Sequence, residues 1–302
     1  MFVKKMLPQA RQLDVAEELR GWNWHQPPLA PYRETRLGVA EVSSFYCATN
    51  RDLYLSRVKK TKLKPSYPML SGRVFHQILM SVLEDAKKLI YMYGAFRANE
   101  LMAALREPFA ISWPAEMEAL TNDEKTELQT RGIFLRDFEQ SRITARIGEI
   151  LTQQPYVGKD SLAHLAIPVV CENKLDGRFL GLSPHLSTDA LILSEPMILD
   201  LKFGVPRKFH RLATTGYALT MEALYEMPVT LGCIVYGEFK QGRLIIAKDI
   251  HLIDDELRQW FIEARDEKVR MISEEIDPGI ADHCADSCPG FDQCHHDEFL
   301  AG

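Results

Sequence analysis

Between Gly72 and about Tyr93 the apolar residues Val74, Phe75, Ile78, Leu79, Val82 and Leu83 recur at the helical interval, which predicts a helix with His76 near its start. Helical patterning returns at Glu100–Arg106 and Phe134–Leu151, on either side of a breaker region from Glu107-Pro108 to Pro114. Beyond residue 160 the period shortens. Leu165–Cys171, Ser187–Leu193, Met197–Phe203, Val229–Tyr236 and Arg243–Ile250 are apolar, β-branched-rich runs bounded by Gly, Pro or Ser, and read as strands. Pro206–Glu226 reads as a helix with Leu212, Tyr217, Met221 and Leu224 inward, and Asp254–Glu275 as a last helix. Residues 1–40, with Trp22, Trp24 and the Pro-rich run Gln26–Pro31, read as an extended N-terminal arm. The order makes the fold α/β, without internal repeats.

At 302 residues and 46% hydrophobic composition, the chain has enough apolar material for one large domain with an insertion, or for two modest ones. No run approaches the roughly 18 apolar residues of a spanning helix, and Met-Phe-Val-Lys-Lys-Met-Leu-Pro lacks a signal-peptide core, so the expectation is a protein of the reducing cytoplasm with no membrane partner. The net charge of −6 is uneven: residues 274–302 carry eight acids and no Lys or Arg, which leaves the first 273 residues at +2. Arg51, Arg57, Lys59, Lys60, Lys62 and Lys64 face only Asp52 in their segment, and Lys202, Arg207, Lys208 and Arg211 form a second basic group. Such patches bind phosphate backbones even on an acidic protein, although a solvated helix face has the same composition.

Three cysteines, Cys284, Cys288 and Cys294, crowd the C-terminal region, with Pro289 directly after the second. Thiolates at this spacing suit an iron–sulfur cluster or a zinc ion, and either wants a fourth ligand. His283, His295, His296 or a distant cysteine can supply it. Cys47 is the best distant candidate, because Cys171 and Cys233 lie in apolar strand-like runs where cysteine acts as a small hydrophobe.

The Ser187–Leu193 and Met197–Phe203 strands suggest a hairpin closed by the two-residue loop Ser194-Glu195, which sets Asp189 directly opposite Asp200 with Cβ atoms about 5 Å apart. Two carboxylates at that separation repel unless a cation lies between them. Strand alternation sends Lys202 to the same face as Asp200, with Leu199, Leu201 and Phe203 on the other. Oxygen ligands favour Mg²⁺ or Mn²⁺, which polarises a phosphoryl oxygen, while a lysine stabilises developing charge. An ordinary solvent-facing ladder would also carry such charges, but the flanking residues are apolar on both faces.

Taken in order, Gly72-Arg-Val-Phe-His76, Asp189, Asp200-Leu-Lys202, Tyr217, and one early plus three late cysteines resemble the RecB-like nucleases of the PD-(D/E)XK superfamily. More narrowly, the chain resembles the CRISPR-associated exonuclease family with an iron–sulfur cluster, the "Cas-four" family, in its archaeal type I-A subgroup. The resemblance covers about residues 40–296. It implies an α/β nuclease core, with a mixed central sheet flanked by helices, divided as an N-terminal arm (1–40), a segment with the early cysteine and first core helix (41–93), a helical lobe (94–160), the core (161–275) and a cysteine-rich iron–sulfur region (276–302). It further implies His76, Asp189 and Asp200 as metal ligands, Lys202 as the catalytic lysine and Tyr217 beside them. Cys47, Cys284, Cys288 and Cys294 would hold a cluster, 4Fe-4S rather than 2Fe-2S. The family's Gln four residues before the Tyr is Ala213 here.

The activity implied is Mg- or Mn-dependent exonucleolytic cleavage of single-stranded DNA ends during CRISPR spacer acquisition. The partners implied are DNA, the acquisition integrase and its small companion subunit, with self-association left open. Arg57, Lys59, Lys60, Arg207, Lys208 and Arg211 are the candidate DNA contacts, and Trp22 and Trp24 candidate base-stacking residues. A RecB-like repair nuclease, or a non-catalytic DNA-binding subunit stapled by a cluster or zinc, are the alternatives.

Overall fold

The computed structural model describes residues 2–284 and 288–299, with side chains described for 6–284 and 288–295. Its helices are α1 (Phe2–Gln12), α2 (Val39–Ser43), α3 (Arg51–Arg57), α4 (Tyr67–Tyr93), α5 (Ala98–Ala104), α6 (Asn122–Gln153), α7 (Lys159–Ala166), α8 (Arg211–Tyr225), α9 (Asp255–Ser273) and α10 (Phe291–Phe299). The strands are β1 (Val170–Cys171), β2 (Lys174–Leu175), β3 (Leu186–Ser187), β4 (Ala190–Ile192), β5 (Met197–Phe203), β6 (Leu231–Lys240) and β7 (Arg243–Leu252). The result is a mixed α/β fold. Among the described residues no helix is long and apolar enough to cross a membrane.

The chain divides into two compact units, the first made of Met1–Ser66, Asn173–Tyr236 and Ile246–Gly302, the second of Tyr67–Glu172 and Gly237–Ile245. In the second, α4 and α6 bury Ile78, Ile90, Leu128, Leu135, Ile143 and Ile147. They approach so closely at Gly132 that an added Cβ would stand 2.7 Å from the Trp113 ring and 2.8 Å from Ile78. Helix α6 starts twelve residues before the predicted Phe134. Its first turns are too charged to show an apolar stripe, but Thr121 and Glu124 form a reciprocal capping box, with Glu124 N–H donating to Thr121 Oγ1 and Thr121 N–H to Glu124 Oε2. Of the strand expected at Leu165–Cys171, Leu165 and Ala166 end helix α7 and only Val170–Cys171 form a strand.

In the first unit, β4, β5, β6 and β7 lie side by side in that order, and α8 joins β5 to its neighbour β6. Both faces of β5 are covered. Ile198 packs into the main core with Leu212, Ala213 and Leu219 of α8, while Met197 and Leu199 meet Met6, Leu7 and Ala10 of α1. Residues 1–40 are therefore not the extended arm that the proline and tryptophan content suggested. Val15, Leu19, Leu29 and Leu37 are core residues, and Trp24 stacks against Phe179 with centroids 4.6 Å apart. Trp22 donates its indole N–H to Glu17, 2.7 Å away.

A buried ionic knot ties this N-terminal region to the helices behind the sheet. Glu222 of α8, fully buried, accepts from Arg20 Nη1 (3.0 Å), from Arg258 Nη1 and Nη2 (2.7 and 2.9 Å), and from the backbone N–H groups of Gly21 and Val229 (2.9 and 3.0 Å). Gly21 lies so close to α8 that a Cβ would collide with Leu219 O and Glu222.

Candidate active site and cysteine cluster

Ala190 pairs with Leu199, Leu191 with Ile198 and Ile192 with Met197, antiparallel. This is the predicted register, although the turn occupies Leu193–Pro196 rather than two residues. One rung beyond β4, Asp189 falls opposite Asp200, and its Oδ2 accepts the backbone N–H of Leu201 at 2.7 Å. Asp200 and Lys202 project, like Ile198, from the α8 side of β5, where alternation sends every second residue. Asp200 is buried, and Lys202 Nζ stands 2.6 Å from its Oδ2. Burial by itself would lower the Lys202 pKa, but Asp200 and then Asp189 more than offset it and hold the ammonium above its ordinary value. The cation paired with Asp200 is thus Lys202 itself, with Asp189 acting on it as well. Among the described residues no three His, Cys, Asp or Glu side chains are gathered closely enough to hold a metal ion as they stand. The donor set nevertheless fits a hard divalent cation, with two carboxylates opposite one another on the hairpin and a lysine beside them.

Tyr217 of α8 is half-buried, and burial followed by the charges of Asp189 and Asp200 raises its pKa, so it remains a protonated donor beside the acids. Ala213, one turn earlier, packs into the core. His76 lies on α4, half-buried, in the second unit, so the first unit alone unites Asp189, Asp200, Lys202 and Tyr217.

Of the proposed DNA contacts, Arg57 donates to both Glu41 oxygens (2.6 and 2.5 Å) and Arg211 to both Asp249 oxygens (2.7 Å each), so both guanidiniums also brace the fold. Arg207 and Lys208 are exposed in the loop between β5 and α8, and Lys59 and Lys60 just after α3.

A second polar group beside the site escaped sequence reading. His210, 3% exposed, hydrogen-bonds Tyr46 Oη through Nε2 (2.8 Å) and Tyr236 Oη through Nδ1 (3.0 Å). Burial, helped by the charges of Lys202 and Arg207, lowers its pKa to about 4, so the ring is neutral. The only hint in the sequence was a histidine beside basic residues at a helix start, and nothing tied it to Tyr46 or Tyr236.

Tyr46 immediately precedes Cys47. Residues 49–51 are tied to 277–279: Thr49 Oγ1 donates to Gly279 O (2.9 Å), and Arg51 donates through Nε and Nη2 to Asp277 (3.0 and 3.1 Å). Cys47 and Cys284 act electrostatically on both Cys288 and Cys294. Burial raises the thiol pKa of Cys288 and Cys294, opposed at Cys288 by the Gly290 backbone N–H and at Cys294 by Arg51. Four cysteines from two tethered segments, with the Gly290 N–H and the Arg51 guanidinium acting on Cys288 and Cys294, are the donor type a thiolate-bound cluster takes, although here too, among the described residues, no three of them stand close enough to hold a metal as placed. Of the alternative ligands, His283 is exposed and the His295 ring stacks on Phe291 at 4.4 Å, while His296 lies outside the residues whose side chains are described. Burial raises the Cys171 thiol, and takes Cys233 to about 11.

The family model "CRISPR-associated exonuclease Csa1" matches residues 1–297. A protein of that name from Saccharolobus solfataricus is 30% identical over 291 residues, covering 96% of this chain and 94% of the relative. Another of that name, from Thermoproteus tenax, is 28% identical over 281 residues, 93% and 92% of the two chains.

Proposed function

Because the chain belongs to the CRISPR-associated exonuclease Csa1 family, and so is a CRISPR-linked nuclease, we propose that it trims single-stranded DNA ends with Mg²⁺ or Mn²⁺ at Asp189, Asp200 and Lys202, preparing fragments for spacer acquisition in the cytoplasm. The observation that carries this reading is the hairpin rung: two carboxylates opposite one another, one of them buried, with Lys202 on the same face 2.6 Å from Asp200.

Asp189 and Asp200 would hold the divalent ion. A bound divalent cation would polarise the scissile phosphate and acidify a water molecule. Asp189 is fixed by the Leu201 N–H, so its carboxylate keeps one orientation toward the site. Lys202 exchanges Asp200 for a phosphate oxygen or the attacking water and supplies charge where the transition state develops it. Tyr217, kept protonated, offers a hydrogen bond from the α8 side. Arg207 and Lys208, exposed on the adjoining loop, meet the DNA backbone, with Lys59 and Lys60 a second basic contact.

Cys47, Cys284, Cys288 and Cys294 would hold a 4Fe-4S cluster, which supplies a covalent staple between residue 47 and the C-terminal segment. The acquisition integrase and its small companion subunit are the partners in this reading. The test is cleavage of end-labelled single-stranded DNA by anaerobically purified protein with Mg²⁺, Mn²⁺ or chelator. Metal-dependent shortening from an end supports the proposal, and intact DNA under every condition refutes it.

A further inference from the structure

Tyr46 was marked by nothing in the sequence except its place before a cysteine. Its side chain has two unlike properties: the residue is 70% exposed, yet its hydroxyl is held 2.8 Å from a histidine that is 3% exposed. An exposed tyrosine needs no buried partner, because water satisfies its hydroxyl, so the bond restricts a group that would otherwise be mobile. The restraint is extended further, since His210 Nδ1 is itself held by the buried Tyr236, and the Tyr46 and His210 rings both pack edge-on against Phe209.

The hydroxyl is held within electrostatic reach of Lys202, Arg207 and Asp200. A neutral imidazole donates through only one nitrogen. In either tautomer His210 holds both phenols; in the one whose Nε2 carries the proton, Tyr236 donates to Nδ1, Nε2–H donates to the Tyr46 oxygen, and the Tyr46 proton is left for a ligand.

Resting on the nuclease reading of Asp189, Asp200 and Lys202, we propose that Tyr46 is a substrate-contacting residue of that site, donating its phenolic proton to a phosphate oxygen of the DNA, with His210 as its positioning residue. The second consequence is structural. Tyr46 is covalently next to Cys47, so whatever fixes Cys47 also fixes a group at the nuclease centre.

Single-turnover cleavage and binding of end-labelled single-stranded DNA test this, with Asp200→Ala run beside the variants. Tyr46→Phe removes one phenolic oxygen and should lose at least about ten-fold in rate or affinity, the size expected for a hydrogen bond to a charged acceptor, in a protein still folded at the assay temperature although His210 Nε2 loses its partner. His210→Gln should lose activity too, but should cost nothing further in a Tyr46→Phe background, whereas a purely structural histidine would add its own loss. If the parent cleaves, Asp200→Ala is inactive and Tyr46→Phe cleaves and binds as the parent does, the assignment of Tyr46 is overturned while the nuclease reading stands. If the parent cleaves nothing, both fall together.

Discussion

Replacing Glu222 by Gln should be among the most damaging conservative substitutions in the first unit, although Glu222 touches no proposed site residue. One carboxylate oxygen accepts three N–H donors and the other two, and the residue is fully buried with Arg258. Whichever way the Gln amide points, its NH₂ confronts at least two donors, and Arg258 keeps its charge with no counter-ion. Breaking one side of a buried ion pair costs about 3–5 kcal/mol. For a unit of about 190 residues, unfolding entropy near 2 cal/mol/K per residue converts that to a fall in melting temperature of roughly 8–13 °C. Circular dichroism melts of anaerobically prepared parent and variant measure it. A variant melting within about 2 °C of the parent, well short of that fall, would show that the knot stabilises nothing. The change would also reach the site, because Glu222 and Tyr217 share helix α8.

Lys202→Ala should bind DNA but lose most of the single-turnover rate, since its charge matters mainly in the transition state; an unchanged rate at saturating DNA with weakened affinity would make it a phosphate anchor instead. His210 titrates near pH 4 when folded and near 6.5 when unfolded, so the unfolded state binds the extra proton and stability should erode as pH falls from 6.5 to 4, by about 3 kcal/mol in all. Urea midpoints across that window should lose this part of their slope in His210→Gln, and identical slopes would contradict the assignment. Cys47→Ser should lose iron and acid-labile sulfide and unfold more readily, and an iron-replete Cys47→Ser protein would remove Cys47 as a ligand.

Local patterning made the hairpin legible: apolar residues on both faces of Met197–Phe203 marked a covered strand, and alternation put Asp200 and Lys202 on one face, as observed. The register followed from turn position alone, which is short-range information. What remained hidden depended on distant partners. Met6, Leu7 and Ala10 have meaning only against β5, and Gly21 and Arg20 only against Glu222, so the first 40 residues read as an arm. His210 likewise carries no local signal, because its partners stand 164 and 26 residues away. The start of α6 differs, since its signal is local: the Thr121–Glu124 capping box lies ahead of turns that lack an apolar stripe.

The most direct test of the central claim is single-turnover cleavage of end-labelled single-stranded DNA by the parent and by Asp200→Ala, with Mn²⁺ or Mg²⁺ and with folding checked by circular dichroism. Removing one member of the opposed carboxylate pair relieves like-charge repulsion but takes away an oxygen ligand. The account predicts a folded protein that leaves the DNA intact while the parent shortens it. A well-folded Asp200→Ala protein that cuts at the parent rate would contradict the placement of the chemistry on this hairpin.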